Sequence, residues 1–298
     1  MGVKGLVYKR KLLGYLFLIP MLILLTMFMF YPIVNSVIMS FTNWSGFDKN
    51  YEFIGLRNYV RLFNETPEYW KAMGVNVRFA VISTVIQTIL GFFLAVVVIN
   101  LTRRWQNFFK VTLYLPVILP AAVVSVMWRF IYTPDYGLIN QILNAAGLSD
   151  WTRAWTADPV FALPAVIFTN TWRYIGFTMV LYYVSMLDIS REMLESSMVD
   201  GATYWQRIRY FYFPLTRGVT EINFVLSITG GLRAFDMFYL LTQGGPGTNT
   251  KVVGMWILET AFRSYRFGRA LTMSIVLFVI VVITMLVSRF ILSPRDER

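Results

Sequence analysis

Long apolar runs separated by shorter polar segments are the main pattern of this chain. About 20 apolar residues cross the hydrocarbon core of a bilayer, and six stretches approach or exceed that length. They cover residues 13–40, 77–100, 110–131, 160–187, 219–241 and 270–291. Each segment in lipid must satisfy its own backbone polar groups, and the ten-residue alternation of a barrel is missing. The pattern predicts an all-α membrane protein with six transmembrane helices in one domain over residues 1–298.

Composition further restricts the class of protein and its expected partners. The chain is 57% hydrophobic and only 14% charged, which is typical of a protein with several membrane spans. The net charge of +11 comes from basic residues beside the apolar runs, where they set orientation and contact anionic lipid. We therefore predict lipid but no nucleic acid as a partner. Cysteine and histidine are absent, so we expect no catalytic residue, metal or cofactor.

The distribution of lysine and arginine predicts the orientation. With the N-terminus inside, fourteen basic residues fall in cytoplasmic segments and nine in outer loops. The connection 101–110 is the clearest indicator, since it has three basic residues and no acidic one. Both termini are therefore predicted to be cytoplasmic. The first apolar run is too long for a cleaved leader and lacks a small-residue cleavage site, so we expect it to be a span.

Residues 188–217 form a polar loop between two apolar runs, on the predicted cytoplasmic side. Both signs of charge occur there, which suits contact with a soluble partner. We predict one short helix over 193–199 and another over 204–211, with Gly201 at the turn between them. Asp200 is expected near the N-cap of the second helix.

This loop resembles the Glu-Ala-Ala coupling loop of bacterial ABC importer permeases. Glu195, Asp200-Gly201-Ala202 and Pro214 match, while Ser196 and Ser197 replace the two alanines. The resemblance implies the type I importer permease fold and a coupling helix that docks on an ATPase. The residues expected to dock are Glu195, Ser196, Ser197, Asp200, Gly201, Ala202, Trp205, Arg207 and Pro214.

Two further segments are similar to carbohydrate importers of the maltose and glycerol-3-phosphate type. One is Gly55-Leu56-Arg57-Asn58-Tyr59 followed by Trp70. The other comprises Phe235-Asp236, Thr242, Gly244-Gly245-Pro246 and Thr250, with Gln243 in place of one glycine. These resemblances cover nearly the whole chain and narrow the expected solute to a sugar or oligosaccharide.

The family implies several partners. They are a second permease subunit, expected to be a different chain, two cytosolic ATPases, an extracytoplasmic binding protein and a sugar. The expected location is the plasma membrane of a bacterium or archaeon, with several passes. This chain has no Gly-x-x-x-x-Gly-Lys-Ser/Thr segment, so we expect ATP hydrolysis on a partner and no enzymatic activity here.

Polar and charged residues inside the spans are candidates for a solute pathway, because such groups face protein or water. They are Asn170, Trp172, Arg173 and Tyr174 in the fourth span, and Gly230, Arg233 and Asp236 in the fifth. Arg233 and Asp236 are three residues apart and are expected to pair on one helical face. The alternatives are that this pair joins helices, that Gly230-Gly231 serves close packing, and that Arg173 is a structural cation–π partner.

Three other functions are alternatives to a sugar importer. A permease of the same fold could carry a non-sugar solute such as a peptide or phosphate. An ion-coupled secondary transporter would use Asp236 or Glu221 as its carboxylate. An intramembrane enzyme is disfavoured, because histidine and cysteine are absent and no paired inward carboxylates are evident.

Overall fold

The computed structural model describes residues 17–48 and 50–292. Within them the regular structure is helical, with one isolated bridge between Thr42 and Phe53. Part of the basis for the predicted orientation lies outside the described residues: Lys4, Lys9, Arg10, Lys11, Lys49, Arg295 and Arg298. Residues 13–16 of the first predicted span also lie outside them.

The described residues fall into two compact units. We call residues 17–48, 50–66 and 257–276 the terminal unit, and residues 67–256 and 277–292 the central unit. The helices in chain order are α1 (Phe17–Ser40), α2 (Arg57–Asn64), α3 (Pro67–Ile99), α4 (Arg103–Ile118), α5 (Ala121–Ile131), α6 (Leu138–Ala145), α7 (Ala162–Leu187), α8 (Arg191–Val199), α9 (Tyr204–Arg207), α10 (Phe213–Leu215), α11 (Arg217–Leu232), α12 (Asp236–Leu241), α13 (Val253–Leu258) and α14 (Phe267–Leu292). A π-helical turn interrupts α1 at Thr26–Phe30, and two more occupy Ile208–Tyr212 and Glu259–Arg263.

Three of these helices, α1, α3 and α14, are long and apolar enough to cross a membrane. A fourth span is possible if the bent pair α4 and α5 counts as one. Helix α7 covers the fourth predicted span and has 26 residues, but it carries Arg173 and several other polar side chains. Helix α11 has only 16 residues, which is short for a bilayer about 30 Å thick.

The third predicted span, residues 110–131, is not a continuous helix. Helices α4 and α5 meet at an angle of 100°. Leu119 between them is extended, with φ −68° and ψ 138°. The cause is Pro120, whose ring disfavours the helical conformation of the preceding residue.

The fifth predicted span, residues 219–241, is also discontinuous. Helix α11 ends at Leu232, and α12 begins at Asp236 after a short non-helical segment. We call residues 233–235 the α11–α12 break. The paired glycines Gly230 and Gly231 weaken helix propensity just before it.

Close approach of helices builds the core of the central unit, where α3, α7 and α11 pack together. The side chain of Asn223 on α11 is fully buried and joins all three helices. Its Oδ1 accepts a hydrogen bond from the Thr178 hydroxyl at 3.1 Å, and its Nδ2 donates to Thr88 Oγ1 at 3.0 Å. Such paired polar groups fix the register of helices that are otherwise apolar.

In the terminal unit, the segment that resembles sugar permeases supports the end of α1. Asn58 is buried and donates through Nδ2 to the carbonyl oxygens of Ser40 and Thr42, at 2.9 and 2.8 Å. The hydroxyls of Tyr59 and Ser40 lie 2.8 Å apart. Asn58 therefore satisfies carbonyls that have no partner inside the helix.

The two adjacent glycines of α11 allow a matched test of packing. A Cβ on Gly231 would lie 2.6 Å from Ala80 Cα, whereas one on Gly230 meets open space. Gly231→Ala should destabilise the protein by about 1–3 kcal/mol through overpacking. Gly230→Ala should be neutral or slightly stabilising, because alanine favours the helix. The thermal denaturation midpoints of the two variants in detergent measure the difference, and equal midpoints would contradict the packing.

Candidate functional site

The loop that resembles a coupling helix is a bent pair of short helices. Helix α8 begins after Ser190, whose hydroxyl accepts from the Met193 amide. It ends in a left-handed turn at Gly201, with φ +82°. The Ala202 amide donates to the Ser197 carbonyl at 2.9 Å, and the Gly201 amide to the Met198 carbonyl at 3.1 Å. This is the glycine-dependent C-terminal motif that satisfies the last carbonyls of a helix.

The second helix of the loop begins with a reciprocal capping box. The Gln206 amide donates to Thr203 Oγ1 at 3.3 Å, and the Thr203 amide donates to Gln206 Oε1 at 2.7 Å. The expectation that Asp200 acts near this N-cap is wrong, because Asp200 is the C-cap of α8. Thr203 carries out that function because only its side chain reaches the first turn of α9.

The loop presents its matched residues to different environments. Glu195, Ser196, Asp200, Gly201 and Trp205 are exposed. Ser197 is buried and donates its hydroxyl to the Leu194 carbonyl at 2.6 Å. Ala202, Arg207 and Pro214 are half-buried, and Pro214 stands in the first turn of α10.

An apolar surface surrounds these exposed positions. Val199 is 89% exposed, Trp205 is 67% exposed and Met198 is 48% exposed. Large exposed apolar side chains on one knob are typical of a surface that another protein covers. Arg207 lies over the ring of Tyr204, with 5.8 Å from its Cζ to the ring centroid.

The base of the loop is anchored in the central unit. Ile208 and Tyr212 are buried in an apolar cluster with Met179, Tyr182 and Met186 of α7. Burial raises the pKa of the Tyr212 hydroxyl above its usual value, against a smaller opposing effect of Arg207, so the side chain stays neutral. The exposed knob is therefore attached firmly to α7.

A cavity of about 400 Å³ lies in the central unit between α3, α5, α7 and the α11–α12 break. Six of the seven predicted pathway residues line it: Asn170, Arg173, Tyr174, Gly230, Arg233 and Asp236. The cavity combines charged and amide groups with aromatic rings, including those of Phe177 and Phe235. Trp172 is not among its lining residues and packs in the core instead, 5.4 Å from the ring centroid of Trp128.

Arg173 connects the cavity to the bend between α4 and α5. Its Nη2 donates to the Leu119 carbonyl at 3.0 Å, and its guanidinium lies over the ring of Tyr174 at 5.1 Å. Its Nε is buried and forms no hydrogen bond within the described part of the chain. Arg173 is thus a structural cation–π partner that also lines the cavity.

The expected pairing of Arg233 with Asp236 is wrong. The helix stops between these residues, so they do not share a helical face. Arg233 Nε donates instead to the Thr229 carbonyl one turn earlier, at 3.2 Å. The two charges line the same cavity without an ion pair between them.

Sequence reasoning missed other polar residues beside the cavity. Gln87 is buried on α3, lines the cavity and donates to the Asn170 carbonyl at 3.5 Å. Asn76 is buried on the same helix and donates to the Ala234 carbonyl in the α11–α12 break at 3.4 Å. Both could have been found as polar side chains within or beside an apolar run, since those are retained for packing or function.

The glycine-proline segment after α12 forms a closed turn. The Thr250 hydroxyl donates to Thr242 Oγ1 at 2.7 Å and lies 2.6 Å from the Gly245 carbonyl oxygen. Gln243 and Gly244 adopt positive φ, at 52° and 83°. The two matched threonines therefore hold the turn together, which explains their spacing in the motif.

Comparison with known proteins identifies the family. Residues 87–295 match the model described as "Binding-protein-dependent transport system inner membrane component". The chain belongs to this family. Membership confirms the prediction of a permease subunit of a binding-protein-dependent ABC importer, and with it an inner-membrane component rather than an enzyme.

Individual relatives are similar to this chain over almost its full length. The probable ABC transporter permease protein YurN of Bacillus subtilis is 36% identical over 98% of this chain and 100% of its own. The lactose transport system permease protein LacF of Rhizobium radiobacter is 30% identical over 91% and 90%. A solved bacterial ABC transporter involved in the import of the acidic polysaccharide alginate has the same fold, with a TM-score of 0.84 and 22% identity over 97% of this chain and 98% of that one.

The capping box of the loop can be tested by two substitutions at one position. Thr203→Ala should destabilise the start of α9 by about 1 kcal/mol, whereas Thr203→Ser keeps the hydroxyl. Hydrogen exchange at the amides of residues 204–207 should become about fivefold faster in the alanine variant only. Equal exchange in the two variants would contradict the observed cap.

Proposed function

We propose that this chain is the sugar-translocating permease subunit of an ABC importer, driven by two ATPases that dock on residues 188–217. The observation that carries the proposal is the bent, exposed loop with its anchored base. Glu195 and Trp205 stand on its surface, while Ile208 and Tyr212 fasten it to the helices that border the cavity. A rigid knob of this kind can pass a displacement from a motor to a transmembrane helix.

Helix α11 supplies the direct connection. It starts at Arg217, the last residue of the loop, and ends at Leu232 beside the cavity. Along its length Thr220 accepts a hydrogen bond from Tyr182 at 2.9 Å, and Asn223 is bonded to Thr178. We infer that movement of the loop shifts α11 and α7 together and so opens and closes the cavity.

Several features favour a sugar as the solute. The cavity presents amide, guanidinium and carboxylate groups beside aromatic rings, which suits hydroxyl contacts and ring stacking. Relatives are named for lactose transport and, in the alginate importer, for an acidic polysaccharide.

The remaining assignments complete the proposal. We infer six spans in one multi-pass membrane domain, with both termini in the cytoplasm. The bent pair α4–α5, helix α7 and the interrupted α11–α12 would be the spans that composition alone does not identify. The partners would be a second, different permease subunit and an extracytoplasmic binding protein.

Docking of the ATPase predicts charge-sensitive assembly. Glu195→Lys should weaken co-purification of the complex with its ATPases about tenfold or more, because it inverts an exposed charge at the interface. Glu65→Lys is the control, since Glu65 is also exposed but lies in the predicted outer segment. Docking at the loop would be contradicted if both variants lost co-purification with the ATPases equally, or if neither variant lost it.

Solute uptake in proteoliposomes tests the cavity. Arg233→Gln should raise the KM for the sugar about tenfold, because it removes a charged hydrogen-bond donor of about 1.5 kcal/mol or more. Arg129→Gln makes the same change at the exposed outer end of α5, outside the cavity lining, and should leave KM within about twofold.

Asp236→Asn distinguishes an ATP-driven importer from an ion-coupled secondary transporter. An ATP-driven importer should retain uptake that depends on ATP and resists a protonophore. Loss of uptake together with gradient dependence of the unmodified protein would favour ion coupling through Asp236 instead.

A further inference from the structure

Asn76 joins three segments of the central unit. Its side chain is 1% exposed on α3. Its Nδ2 donates to the Leu232 carbonyl at 3.1 Å and to the Ala234 carbonyl at 3.4 Å. Its Oδ1 accepts from the Val253 amide at 2.9 Å. One amide thus contacts the end of α11, the α11–α12 break and the start of α13.

The chemistry of these partners fixes the side chain. Two backbone carbonyls require a donor and a backbone amide requires an acceptor, so the amide has a single satisfactory orientation. Aspartate would place an acceptor against both carbonyls. An apolar residue would leave three backbone groups without partners, two of them buried, and such groups are costly away from water.

Asn76 lies behind the wall of the cavity rather than in it. Arg233, Ala234 and Phe235 of the break line the cavity, whereas Asn76 does not. One turn along α3, Phe79 also lines the cavity and packs edge-on against Phe238 of α12 at 4.8 Å. The face of α3 that carries Asn76 and Phe79 therefore supports the irregular part of the wall.

We propose that Asn76 is a positioning residue for the solute site: it holds the α11–α12 break in the conformation that presents Arg233 and Phe235 to the cavity. The inference rests on the proposed function, in which this cavity receives the transported sugar. Without Asn76 the break loses its anchors on both sides, and the site becomes variable in shape. Solute affinity then falls while the docking loop is unchanged.

Thiol labelling tests the local effect without transport. The chain has no cysteine, so Ala234→Cys gives a single reporter in the break, and Ala121→Cys gives a reporter on α5 at the same cavity. Adding Asn76→Ala should speed labelling by a water-soluble maleimide at position 234 about tenfold, since the hydrogen bonds that hold the break are lost. Labelling at position 121 should stay within about twofold.

Substitutions at Val253 test the same hydrogen bond while Asn76 itself is unchanged. Val253→Pro removes the amide donor at the first position of α13, where proline fits a helix. Val253→Ala also removes the valine side chain but keeps that donor. Labelling at Cys-substituted position 234 should rise in the proline variant above the alanine variant. Asn76→Ala should also have a smaller effect in the proline background.

Ser83→Ala is the control on α3. Ser83 is buried on the same helix, and its hydroxyl forms no hydrogen bond within the described residues. This variant should leave labelling at position 234 within about twofold. Equal labelling with and without Asn76, or strictly additive effects of the Asn76 and Val253 changes, would overturn the positioning role.

Uptake by the assembled importer then tests the consequence for transport. Asn76→Ala should raise the KM for the sugar about tenfold and change kcat by about twofold or less. A labelling effect without a change in KM would overturn the assignment to the solute site. If the unmodified protein shows no ATP-dependent uptake, the proposed function fails. The labelling comparison alone then shows whether Asn76 fixes the conformation of the α11–α12 break.

Discussion

Satisfaction of backbone polar groups inside the membrane is the constraint on which the rest of this structure depends. A continuous helix meets it internally, but this chain interrupts its apolar segments at Leu119–Pro120 and at residues 233–235. Each interruption frees carbonyls that lipid cannot solvate. Arg173 covers the Leu119 carbonyl, and Asn76 covers those of Leu232 and Ala234. Side chains of neighbouring helices thus permit irregular backbone at both edges of the cavity.

The same arrangement explains how a distant motor could act on the cavity. The loop at residues 188–217 is rigid because its turn and its second helix are both capped locally. Its base lies in the apolar cluster of α7, and α11 leads from it to the break. Irregular backbone at the far end of a rigid helix is well placed to change shape, since few helical hydrogen bonds must be broken there.

Much of this architecture could be predicted from the sequence. Apolar run length indicates α1, α3, α7 and α14, and turn chemistry indicates the bend at Gly201. The two interruptions could not be predicted from hydropathy, because the apolar character continues through both. Pro120 was a local signal for the first. The second depends on Asn76, more than 150 residues away in the chain, so no local pattern reveals it.

The candidate site likewise has some features that the sequence predicts and others that it does not. Six of the seven residues predicted for the solute pathway line one cavity because intramembrane charges and amides must face protein or water. Trp172 was misplaced because an aromatic ring beside a charge also fits the apolar core. The Arg233–Asp236 pair failed because it assumed a continuous helix. Thr203 was missed as the cap because Asp200 is also a good capping residue by type.

The central claim is that motion of the loop at residues 188–217 exposes this cavity alternately to the two sides of the membrane. It is tested most directly with a single cysteine at Ser227, a cavity residue of α11, in vesicles that contain the complete importer. An impermeant thiol reagent is applied from either side, with and without a non-hydrolysable ATP analogue. The account predicts labelling from the cytoplasmic side without the nucleotide and from the opposite side with it. Labelling from the same side in both conditions would contradict it.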